Sequence, residues 1–164
     1  METRRAIVML GLFFLVAGVG FAQHNNASVQ QQIIIEVKPI TSINVTGDPH
    51  SFLIQDPPQG AEFAQSNDNS TTYNVLTNLD NMKIVASIND PMPKGTKLMI
   101  NLKSSKWNSS GVVDISDAVA PVTAVSGVTR GIDRNQTIDY TFAANANAGE
   151  IENETRIVTL TVTD

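Results

Sequence analysis

The chain of 164 residues has no cysteine. That absence removes disulfide staples, thiolate nucleophiles and cysteine zinc sites together. Charged residues make up 16% and aromatic residues 5%, so ion-pair networks and aromatic-lined cofactor sites have little material to draw on. Eleven Lys and Arg oppose sixteen Asp and Glu, a formal charge of −5, which makes a poor surface for phosphate and argues against a nucleic acid partner. Only two histidines occur, His24 and His50. After the first 22 residues no window keeps a 3.6-residue apolar period, so a helical domain is not expected.

What is present begins with METRRAIVMLGLFFLVAGVGFAQ. Arg4 and Arg5 precede an apolar run from Ala6 to Val19, and Gly20 and Ala22 supply the small residues of a cleavage site. This order predicts a secretory signal peptide over residues 1–22, cut between Ala22 and Gln23. An uncleaved anchor is the alternative, since the run falls just short of the ~20 residues that span a bilayer; after cleavage no membrane span remains. Loss of Glu2, Arg4 and Arg5 would take the charge from −5 to −6. Residues 23–32 (QHNNASVQQQ) read as a flexible polar leader, and 33–164 as one domain, large enough to bury a core.

From Ile33 onward apolar residues alternate with polar ones, with turn residues between the runs. IIIEV sets Ile33, Ile35 and Val37 on one face, and SINVT sets Ile43 and Val45 inward. TTYNVLT and MKIVASI, separated by NLDN, predict a hairpin. TKLMINLK is the most regular strand, with Leu98, Ile100 and Leu102 in and Lys97, Asn101 and Lys103 out. GVVDIS and VTAVS are weaker strands; TIDYTFA and RIVTLTVTD complete the series, and QSNDNS reads as a polar loop. Nine or ten short strands at this spacing predict an all-β, antiparallel two-sheet sandwich, immunoglobulin-like in the loose sense.

Few residues offer chemistry. His50 follows a Gly-Asp-Pro turn with only Asp48 close in sequence, and a serine nucleophile needs both a positioned base and an orienting acid; no catalytic residue is assigned and no enzyme expected. Glu150, Glu152 and Glu154 would share a face if extended, and Asp114 and Asp117 lie close together. Neither run has the glycine-punctuated spacing of a calcium loop, so no metal and no cofactor is implied. Trp107, in SKWNSSG, would offer a glycan contact if its indole were exposed, or cap one end of the sandwich if folded back. N-x-S/T occurs at Asn26, Asn44, Asn69, Asn108, Asn135 and Asn153, mostly in expected loops.

A signal peptide, a polar leader, a first strand rich in Ile and a terminal alternating strand together resemble secreted bacterial immunoglobulin-like β-sandwich proteins, including subunits of pili and other surface fibres. The resemblance implies a non-catalytic structural or interaction role in the cell envelope or extracellular matrix, outside the cytoplasm. Its partners would be copies of itself or other envelope proteins, and Ile33, Ile35 and Val37 would form an assembly strand that pairs with another chain's sheet edge. The alternative is a glycan-binding or adhesive module.

Overall fold

A computed structural model describes residues 29–54 and 62–164; the signal peptide and most of the leader lie outside the described residues. The chain divides into two units, one ending at Glu36 and one running from Val37 to Asp164. In the first, the described residues Val29–Glu36 carry no strand.

The second unit is an antiparallel two-sheet sandwich. Nine strands are described: β1 (Thr41–Thr46), β2 (Ala64–Thr77), β3 (Met82–Ile88), β4 (Thr96–Leu102), β5 (Asn108–Ser109), β6 (Val113–Asp114), β7 (Val122–Val128), β8 (Gly131–Ala144) and β9 (Val158–Thr163). One sheet has the order β1-β2-β8-β4-β6 and the other β5-β7-β3-β9. The core lies between them, built from Tyr73 and Val75 of β2, Ile84 and Ala86 of β3, Ile100 and Leu102 of β4, Val125 of β7 and Ile138 of β8. Period two is the cause: in β4, Thr96, Leu98, Ile100 and Leu102 are buried, while the residues between them are not. Each Ile or Leu taken fully out of water contributes about 1.5–3 kcal/mol, which is how a chain without cross-links holds together.

Three expectations need correction. TTYNVLT and MKIVASI do not form a hairpin, because β2 and β3 lie in different sheets. The link 78–81 crosses between layers. Four residues reach about 13 Å and the layers are about 10 Å apart, so a tight turn and a crossing ask for the same residues. Here Asn81 takes a positive φ of 59°, and Asp80 pairs with Arg130 beyond β7 at 3.0 Å. QSNDNS is not a loop but part of the 14-residue β2, paired along β8; a polar run can be strand when its backbone bonds are met by a neighbour. IIIEV is not assigned as strand, for no ladder meets its backbone, and the first strand begins instead at Thr41.

Candidate functional site

The ribbon formed by β2 and β8 carries two bulges, one between Asp68 and Thr71 and one between Tyr73 and Val75 opposite Gln136 and Asp133. A bulge resets the alternation and turns a side chain to the other face. Each of these sits beside an aspartate that is buried, and each aspartate fastens a loop.

Asp68 receives His50 from the segment that follows β1. His50 Nδ1 lies 2.6 Å from Asp68 Oδ2, and the His50 backbone N–H donates to the same oxygen at 3.3 Å. Ser70 donates its backbone N–H at 3.0 Å and its hydroxyl at 2.8 Å to Oδ1. Burial raises the Asp68 pKa, but the bonds from His50 and Ser70 outweigh it and hold the carboxyl down to about 2. Next to it on β8, Tyr140 is pushed up to about 12 by burial, with the charges of Asp68 and Asp48 adding to the effect. Histidine and serine therefore bind one carboxylate side by side. In nucleophilic catalysis the imidazole stands between hydroxyl and acid, whereas Ser70 donates past His50 directly to Asp68. What this arrangement does is anchor a loop.

Asp133 performs the same task at the other bulge. Its Oδ2 accepts from Ser104 Oγ at 2.7 Å and from the Ser105 N–H at 3.1 Å, and its Oδ1 from Ser105 Oγ at 2.7 Å. Ser104 Oγ in turn accepts from the Trp107 N–H at 2.9 Å. Tyr73 donates its hydroxyl to Lys103 O at 2.6 Å, and burial, then the Asp133 charge, raise its pKa above the ordinary tyrosine value. The loop after β4 is thus pinned, and Trp107 folds back into the core with 9% of its surface exposed. That leaves the indole without the open face that stacking on a sugar requires.

The assembly residues stand differently. Ile33, Ile35 and Val37 are 73%, 81% and 74% exposed. The sandwich's backbone is first tied at Lys38 and Ile40: the Asn78 side chain donates to Lys38 O at 2.8 Å and accepts from the Ile40 N–H at 2.7 Å. At the other end of the sequence, β9 pairs with β3 from Lys83↔Thr163 to Ile88↔Val158. It is the last strand of its sheet, and its other edge is unpaired among the described residues. Val158, Leu160 and Val162 point inward yet stay only partly buried, whereas Ile84, Ala86 and Ile88 beside them on β3 are buried. β1 likewise ends its sheet, paired only with β2.

Among the described residues no group of three or more His, Asp or Glu side chains converges as a metal site; Glu154 pairs with Arg156 at 2.7 Å, and Asp114 accepts from the Ser116 N–H at 2.9 Å. Of the six sequons, Asn26 lies outside the described residues and the other five are exposed. Asn44, Asn69, Asn108 and Asn135 sit on strands and not in loops. No described helix is long and apolar enough to cross a membrane. Compared with protein-family models, curated proteins and solved structures, the chain has no match.

Proposed function

We propose that the protein is an exported, non-catalytic β-sandwich with a structural role in the cell envelope or extracellular matrix, whose copies associate by adding the leading strand of one to a sheet edge of the next. One observation carries this reading: the inward side chains of β9 remain half covered at an unpaired edge, in a chain whose Ile33, Ile35 and Val37 are exposed at strand spacing. An unpaired edge offers a row of backbone donors and acceptors. An extended segment satisfies them while its alternate side chains fill the gap between layers. The burial of Trp107 gives the glycan-binding alternative no support.

Deleting residues 23–38 and following the product by size-exclusion chromatography and negative-stain microscopy tests the reading. The truncated protein is expected to unfold at nearly the same temperature but to stay monomeric where the full chain forms oligomers or filaments. Equal assembly with and without the segment would sink it.

A further inference from the structure

The segment Pro49–Ile54 is attached to the sandwich in an unusual way. It belongs to no strand, and its hydrogen bonds to described residues are two, from His50 N and His50 Nδ1, both ending on Asp68 Oδ2. Its apolar anchor is Phe52, partly buried against the core, with its ring centroid 6.1 Å from that of Phe142. Leu53 beside it is 67% exposed. The segment forms one wall of an open groove of about 800 Å³. Ala64, Met92, Leu98, Phe142 and Val158 contribute to the other walls, so the groove runs up to the first residue of β9. A wall held by one carboxylate oxygen and one aromatic contact opens at a fraction of the free energy of global unfolding.

We propose that Pro49–Ile54 is a movable strap which narrows this groove, and that its release from Asp68 widens the groove to admit the leading strand of a second copy. The proposal rests on the strand-sharing reading above. The occupant is indicated by continuity and by chemistry. The groove joins the unpaired edge of β9, and Ile33, Ile35 and Val37 are exposed apolar side chains whose period suits a sheet edge lined with apolar residues. When the receiving conformation is a minor one, apparent affinity falls by the fraction populated, so the strap would hold back premature association.

The test uses the full chain, His50→Ala and Phe52→Ala variants, and a labelled peptide of residues 31–40, QQIIIEVKPI. His50 has 80% of its side chain exposed, so its removal cuts the latch without opening the core. Loss of a charge-assisted bond corresponds to about tenfold. Amide exchange across residues 47–54 is therefore expected to speed up about tenfold in both variants, with a similar gain in peptide affinity by fluorescence anisotropy. A peptide carrying Ile35→Asp should not bind. Unchanged exchange, or faster exchange with the same affinity as the unaltered protein, would overturn the strap and leave the strand-sharing reading in place. Absence of binding to every form would overturn both.

Discussion

At the residue scale the stability of this protein turns on polar groups placed inside it. Asp68 is held near 2 against an ordinary 3.8, so it binds fewer protons folded than unfolded. Its contribution is complete above pH 3.8 and is lost as pH falls toward 2. With His50 largely in solvent, screening leaves about 1 kcal/mol of the shift as stability. Asp68→Asn should lower the unfolding temperature at pH 7 and flatten the acid limb of a denaturation curve between pH 4 and 2; an unchanged acid limb would contradict the assignment. Trp107→Ala should cost about 3–5 kcal/mol by chemical denaturation, the range for a large core residue, whereas an indole serving only a surface contact would cost less than 1. Neither aspartate could be picked out beforehand. Asp68 stands in a polar run, QSNDNS, and its burial depends on a bulge whose existence is set by pairing with a strand some seventy residues later.

The elements divide by their place in a sheet. β3 and β8 have neighbours on both sides, whereas β1 and β9 have one, and amide exchange by mass spectrometry should rank accordingly, slowest in the central strands and faster in β9. Equal protection of β9 and β3 in the monomer would mean that the outer edge is covered. The β4 end has its own constraint. Gly95 has φ of 79°, and a Cβ there would collide with the backbone of Asn147 and Ala148 in the single 3-10 turn Ala146–Ala148. Gly95→Ala should therefore destabilise the fold by more than the ordinary ~1 kcal/mol difference in backbone freedom, read as a fall in the denaturation midpoint. β4 and β9 were legible as strands because their alternation is strict and apolar. β2 was only half legible: its last seven residues alternate, and its first part is polar on both sides. The hairpin between β2 and β3 was misread because strand pattern and turn residues are local, whereas the choice of sheet is not.

For the whole molecule, period-two alternation, missing cysteines and turn residues between runs determined an antiparallel two-layer β body held by its core, since both follow from chemistry within a few residues of chain. The tertiary structure alone decided which strands are neighbours, where the sheets stop, and which polar groups go inside. Those outcomes depend on hydrogen bonds between segments tens of residues apart, such as Asp68 with Tyr140 across the ribbon and Lys83 with Thr163 at the edge. They set the candidate site as well: alternation marks Ile33, Ile35 and Val37 as able to pair, but only the ladder of β9, met on one side by β3, leaves an edge for such a strand to meet.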